Sequence, residues 1–460
     1  MTRLIRYDHG TLVLEGFPEN EVPSGFQLDA RIGLPRGLAI HYHRLILDLH
    51  RRQVAYEDQA RAYTPLERPH LCDRTPRDYQ REALAAWLEQ GRRGIVVLPT
   101  GSGKSFVAEL CIAKANRSAL VIAPTIDLVG QWYDSLTRAF PGKVGILGGG
   151  VHEVAPLTVS TYDSAYIHSE RYGAHFGLLI FDEVHHLPGH AYRLAAENSL
   201  APFRLALTAT LERTDGGHSE IERLVGPVVY RREITELAGE FLADYQTEYL
   251  EVHLSTEDHQ AYEQARGTFR QFANSRGIRL GGAGGWQHFL REAARSSEGR
   301  RAFRAWQESR RIMQGAPAKM RLLEELLRRH HQDRIIVFTN DNATVYDISR
   351  RLLLPAITHQ TDLTERKKLL TAFKNGALRT LVTSRVLNEG VDIPSANVAI
   401  VLSGTGTVRE HVQRLGRILR KAEGKRAVLY EVVVAETAEE QTSRSRRKHI
   451  AYGKDVPSGQ

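Results

Sequence analysis

Short apolar runs alternate with stretches of helical spacing over most of the chain. From Thr75 onward the runs "GIVVLP", "SALVIAP", "LTVSTY", "LLIFDE" and "FRLALTAT" are separated by amphipathic segments. In most of these runs apolar and polar residues do not take turns, so both faces of such strands are predicted to be covered. Strands of that kind between helices indicate a parallel sheet flanked by helices. The pattern breaks after Thr210, where "LERTDGGHSEIERLVG" is polar and carries a double glycine. A second run begins near Gln246 and resumes at Arg334 as "RIIVFTN", "AITHQ", "RTLVTSRV", "NVAIVLSG" and "RAVLYEVVV". The expectation is an α/β protein with two parallel-sheet domains, over 75–245 and 246–445.

Residues 1–70 have a different texture. "RLIRYDHGTLVLEG" predicts two short strands around an Asp-His-Gly turn, and "GLAIHYHRLILDLHRR" an amphipathic helix. A small α+β domain is expected there. "YTPLERPHLCDRTPR", with its three prolines, reads as a linker. Thr75 as N-cap and Pro76 at the first helical position then predict a helix through "RDYQREALAAWLEQG" to Gly91. Residues 256–315 fall between the first strand of the second α/β domain and its next element. They are Arg-rich and helical in pattern, broken by "GGAGG". The basic end of the chain, with "SRSRRKH" and the tail 446–460, reads as a solvated terminus.

A chain of 460 residues exceeds one ordinary core. Its 42% apolar and 25% charged residues are ordinary for soluble globular protein. No apolar run is long enough to cross a bilayer, and "MTRLIRYDHG" has no signal-peptide core. Cys72 and Cys111 are its only cysteines, which argues against a disulfide framework or a cysteine zinc site and fits a cytoplasmic protein. The net charge of +8 suits a polyanionic partner.

Two segments carry recognisable chemistry. "IVVLPTGSGKSFVAEL" sets a Gly-rich loop between a strand and a helix. The N–H groups of such a loop and the helix N-terminus cradle phosphates. Thr100, Gly101, Ser102 and Gly103 would form the cradle, Lys104 would reach the β- and γ-phosphates, and Ser105 would ligate magnesium. Leu98 stands where the strict motif has its first glycine, so the match is to the relaxed G-x-G-K-S form. "LLIFDEVHH" ends an apolar strand on Asp182, suited to magnesium, and Glu183, suited to positioning and deprotonating water. His185 could hydrogen-bond toward the other domain.

A third segment, "HVQRLGRILR", places Gln413, Gly416, Arg417 and Arg420 on one stripe of a helix, with Arg414 to the side. One reading is a solvated basic helix. The other is that the stripe meets a γ-phosphate held by the first domain, Arg417 and Arg420 supplying charge and Gln413 positioning water. Closing and opening of such a cleft would make a motor.

In the order of these motifs the chain resembles the XPB-type helicases of superfamily 2, most closely the short archaeal-type members. "RDYQ" resembles the adenine-reading Q motif, with Gln80 as reader and Arg77 nearby. "LPTGSGKS", "DEVHH", "LTAT", "IIVFTN", "VTSRVLNEGVDIP" and "QRLGRILR" resemble motifs I to VI. The resemblance implies two RecA-like motor domains and the use of ATP and Mg2+. It implies that Thr208 and Thr210 couple hydrolysis to movement, and that Gly390 and Asp392 lie at the nucleotide and domain interface. "APTIDLVGQ" and "STYDSA" would touch the nucleic-acid backbone. The family's Arg-Glu-Asp element corresponds to Arg213, Thr214 and Asp215, with Thr in place of the acid. Residues 256–315 match the place of the family's helical thumb, where Arg270 and Arg276 would meet DNA phosphates while most of the aromatics form the insert's own small core. Residues 1–70 match the place of its damage-recognition-like domain.

The function so implied is a 3′-to-5′ DNA helicase or translocase in repair or transcription, acting on single-stranded and forked DNA. A DNA remodeller with weak unwinding, a nucleotide-switched scaffold for a partner nuclease (archaeal relatives pair with one), and an RNA-acting enzyme are the alternatives that the residues leave open.

Overall fold

The computed structural model describes residues 3–72, 74–211, 218–237, 241, 244–280, 284–384, 396–403 and 426–447. They fall into two compact units, one of Met1–Pro99 with Gly103–Arg232, the other of Glu233–Gln460 with Thr100–Ser102.

The first unit opens with the strands Leu4–Asp8 and Thr11–Glu15, paired antiparallel with Asp8 opposite Thr11. His9 and Gly10 both have positive φ, 45° and 82°, which a two-residue hairpin turn of primed type requires. A second hairpin, Phe26–Asp29 with Leu34–Leu38, was not legible in the sequence. With Glu57–Asp58 these strands make a five-stranded sheet. The helix Tyr42–Arg51 lays Tyr42, Leu45 and Leu49 on Ile5, Leu12 and Leu14, the spacing of a single helical face. That core runs on into Ala174 and Leu200 of the following α/β domain. The Tyr7 hydroxyl sits 3.0–3.1 Å from the carbonyls of Ser169, Glu170 and Asn198, and burial pushes its pKa up to about 12.

The proline-rich stretch that follows is pinned along the α/β surface. Thr64 accepts from the Ser118 N–H, and the Leu71 N–H donates to Ala139, both at 2.8 Å. The next helix is Asp78–Glu89, with Arg77 as its N-cap. Thr75 and Pro76 therefore lie outside it. The Gln80 side chain sets that start by accepting from the Arg77 N–H at 3.0 Å.

The first large sheet has eight strands in the order Val228–Arg231, Arg93–Val97, Phe203–Thr208, Leu178–Asp182, Ala119–Ala123, Leu157–Thr161, Val144–Gly148 and Val151–Glu153. All neighbours are parallel except the edge hairpin formed by the last two. The Gly-rich sequence hid that hairpin. Its turn runs through Gly148, Gly149 and Gly150, all at positive φ.

The second unit holds a six-stranded parallel sheet, in the order Asp244–Val252, Arg426–Val434, Val398–Val401, Ile335–Phe338, Thr380–Thr383 and Ala356–Ile357. Three helices, Thr256–Ser275, Gly285–Arg295 and Ser297–Gln314, stand between its first two strands in sequence. They enclose a core of their own around Phe269, Phe272, Phe289 and Ala302. Trp286 and Trp306 pack against it with ring centres 4.5 Å apart. A buried ion pair braces the unit. Lys319 Nζ lies 2.6 and 2.8 Å from the Glu439 carboxylate and donates to the Leu402 carbonyl at 2.6 Å. Glu439 in turn accepts from the Val434 N–H at 3.0 Å. Among the described residues no helix is long and apolar enough to cross a membrane.

Candidate nucleotide-binding and catalytic site

The first sheet brings three separated sequence motifs to one row. Thr208 pairs with Val97, and Asp182 pairs with Leu207, so the starts of the phosphate loop, of "TAT" and of "EVHH" emerge from three adjacent strands at their carboxyl ends. In open α/β sheets that edge is where ligands bind. The Leu98 N–H donates to the Thr208 carbonyl at 3.0 Å, which fixes the loop's first residue to its neighbour.

The loop itself turns through Gly101 and Gly103, at φ 85° and 87°. A Cβ at Gly103 would stand 2.7 Å from Gln80 Nε2, so the Gln80 side chain would have to shift. Gln80, 4% exposed, thus lies directly against the glycine-rich loop. Lys104 opens the helix Lys104–Ala115 and folds its amine back to the Leu98 carbonyl at 3.2 Å. Ser105, in the first helical turn, is exposed, and Ser102 is buried. Arg77 is exposed and donates to the Tyr79 hydroxyl at 3.2 Å; burial nonetheless raises the Tyr79 pKa.

Asp182 is held firmly. Its Oδ1 accepts from the Glu183 N–H at 3.0 Å and its Oδ2 from the Trp132 indole N–H at 2.8 Å. The Tyr162 hydroxyl donates to its carbonyl at 3.0 Å. Glu183 has left-handed backbone, φ 48°, a conformation that costs a non-glycine residue and recurs at functional sites. His185 Nδ1 lies 3.6 Å from Glu183 Oε2, both side chains largely buried. The Thr208 hydroxyl donates to the Thr210 carbonyl at 2.7 Å and accepts from the Thr210 N–H at 3.2 Å, which closes a tight turn. The Thr210 hydroxyl oxygen is buried without a hydrogen-bond partner among the described residues.

The residues fit a nucleoside triphosphate with magnesium. A glycine-rich loop with two left-handed glycines leads into a helix N-terminus, a lysine sits at its end, and a hydroxyl and a carboxylate are in the positions that such a site uses.

Gln80, Gly101, Gly103, Lys104, Ser105, Asp182, Glu183, Thr208 and Thr210 thus belong to one strand-end region or to the segments leaving it. Arg270 and Arg276 are exposed on the first helix of the insert and at its end, with the Arg276 guanidinium 5.8 Å from the Phe272 ring. Arg213, Thr214, Asp215, Gly390, Asp392, Gln413, Arg414, Arg417 and Arg420 lie outside the described residues, as does the tail. Sequence reasoning missed the contacts of Trp132 and Tyr162 with Asp182. Trp132 directly follows one segment expected to touch DNA and Tyr162 lies within the other, and nothing in the sequence pairs either with Asp182.

Three family models match parts of the chain. Residues 5–60 match the "Xeroderma pigmentosum group B helicase damage recognition domain". Residues 73–213 match "Type III restriction enzyme, res subunit", and residues 301–453 match "ERCC3/RAD25/XPB C-terminal helicase". The "DNA 3'-5' translocase XPB2" of Sulfurisphaera tokodaii is 44% identical over 81% of this chain and 84% of its own length. The "DNA 3'-5' helicase XPB" of Mycobacterium tuberculosis is 30% identical over 82% of this chain. The match covers 63% of that protein, so the chain spans less than two thirds of it. The helicase domain of Pyrococcus furiosus Hef shares the fold, with a TM-score of 0.53 at 19% identity over 81% of this chain and 98% of that one. The chain belongs to the XPB/Rad25 family of superfamily 2 ATP-dependent DNA helicases and translocases.

Proposed function

We propose that this chain is a 3′-to-5′ DNA translocase that uses ATP hydrolysis to unwind or remodel duplex DNA in repair or transcription. The observation that carries the reading is the row at the strand ends. It joins the phosphate loop, Thr208 and Asp182, with Gln80 set against Gly103. In this reading Gln80 and Arg77 read the base. The loop Thr100–Gly103 and Lys104 hold the phosphates, and Ser105 and Asp182 hold magnesium, which neutralises phosphate charge when bound. Glu183 positions the water and takes its proton, with His185 orienting the carboxylate. Trp132 and Tyr162 keep Asp182 from turning away. From the sequence alone, Arg417, Arg420 and Gln413 are assigned to the γ-phosphate, and Gly390 and Asp392 to the nucleotide.

DNA is the proposed partner, met by the segments that open the helices Ile126–Ala139 and Tyr162–Ile167 and by exposed Arg270 and Arg276 of the insert. Thr214, where the family has an acid, favours a second reading: strong translocation with weak strand separation.

The test is ATPase activity with no nucleic acid, single-stranded DNA, duplex DNA or RNA, for the parent and Lys104→Ala. Stimulation by DNA that Lys104→Ala abolishes is the expected result. Equal stimulation by RNA, or activity that survives in Lys104→Ala, would overturn the reading. Displacement of a triplex strand from duplex and of a strand from a fork then separates translocation from unwinding.

A further inference from the structure

Glu109 lies on the helix Lys104–Ala115 and is 1% exposed, on a face shared with buried Phe106 and Ile112, three positions to either side. Burying a carboxylate is costly unless it is paired and hydrogen-bonded, and an apolar residue of similar volume often serves stability as well or better. The partners of this carboxylate come from separate stretches of chain. Oε2 accepts from Arg74 Nη2 at 2.8 Å and stands 3.8 Å from His70 Nε2. Oε1 accepts from Ser135 Oγ at 2.5 Å. The Arg74 guanidinium also covers the Phe106 ring at 4.2 Å, and Phe106 follows Lys104 by two positions. His70 stacks on Phe140, with ring centres 5.1 Å apart.

These contacts fasten His70 and Arg74 to the phosphate-loop helix. Three residues beyond Arg74 the chain reaches Arg77, the N-cap whose N–H holds Gln80 Oε1, and then Gln80 itself. Besides that hydrogen bond, the Gln80 amide is supported by its close approach to Gly103 and by the ion pair that fixes the chain leading to it.

We propose that Glu109 is a positioning residue for base recognition. By clamping Arg74 to the phosphate-loop helix, it fixes the distance between the Gln80 amide and the phosphates, and so contributes to the choice of ATP over GTP. This rests on the reading of Gln80 as the base reader. A merely structural carboxylate would change thermal stability and leave the choice of base alone.

The full-length protein is assayed with ATP and with GTP at saturating single-stranded DNA, alongside its melting temperature. Glu109→Leu is expected to stay folded and to raise KM for ATP roughly 10-fold, most of the effect falling on KM, with little change for GTP, the scale of one lost charge-assisted hydrogen bond. Arg74→Ala cuts the same tie from its solvent-exposed side and should shift the ATP-to-GTP preference in the same direction. It decides the matter should Glu109→Leu fail to fold. Gln80→Ala separates the two ideas. If it keeps the parent's preference, or if the parent has none, the base reading at Gln80 fails and the role of Glu109 goes with it. If Gln80→Ala loses the preference while Glu109→Leu and Arg74→Ala keep it, the Glu109 proposal alone is overturned.

Discussion

Trp132→Phe tests the support beneath Asp182, at the end of the strand Leu178–Asp182. The indole N–H reaches Asp182 Oδ2 at 2.8 Å, and the two residues are 2% and 6% exposed, so water does not readily replace the lost donor. A hydrogen bond to a charged group contributes about 1.5–3 kcal/mol, and phenylalanine keeps much of the ring's packing while removing that donor. If Asp182 must hold one orientation in the transition state, that energy appears in the rate. At about 1.4 kcal/mol per factor of ten, kcat should fall roughly 10- to 150-fold. The Glu183 N–H on Oδ1 and the Tyr162 hydroxyl on the carbonyl remain, which is why the loss stops short of removing the carboxylate. The assay is steady-state ATP hydrolysis over a magnesium titration, with and without single-stranded DNA, with a thermal melt to show that the variant is folded. A folded Trp132→Phe that hydrolyses ATP within about twofold of the parent would refute the reasoning, since that difference is under 0.5 kcal/mol, about the scale of a neutral surface change.

Glu183→Gln is expected to bind ATP yet turn over at least ~100-fold more slowly, the scale of a lost general base; near-normal turnover would remove Glu183 from the mechanism. Glu439→Gln leaves the Lys319 ammonium buried, 3% exposed, without its carboxylate. The cost should be about 3–5 kcal/mol, read by hydrogen exchange in the second unit, whereas the apolar pair Lys319→Met with Glu439→Leu should recover most of it. A single variant with parental exchange would show that the pair braces nothing. Burial, with Arg93, Arg204 and Arg44 nearby, lowers the His43 pKa from 6.5 to about 4. The unfolded chain then binds the proton first, so stability should decline as pH falls below 6.5 and this contribution should be gone once pH passes about 4. The melting temperature of His43→Gln should be flatter across that window, and superimposable profiles would clear His43 of the acid response.

Much of this protein is written locally. Unbroken apolar runs such as "LLIFDE" determined the parallel strands, because a strand covered on both faces has no polar face to show. Asp-His-Gly determined the first hairpin, because its turn needs two residues at positive φ. The strand, glycine turn and helix around "GSGKS" and the strand ending at Asp182 were legible because each is set by residues adjacent in the chain. The aromatics of the insert were legible as a core of its own. The tertiary structure decided what depended on a partner far along the chain. Thr75 and Pro76 resemble a helix start, yet the helix begins after Arg77, because the Gln80 side chain caps it there. The prolines after Tyr63 suggest a free linker, yet carbonyls and amides of the α/β domain bind that stretch along its length. Trp132 and Asp182 stand 50 positions apart, and Arg74 and Glu109 stand 35 apart. Periodicity reports only which face of an element is buried, and the partner that satisfies a buried polar group is chosen when the strands take their order in the sheet.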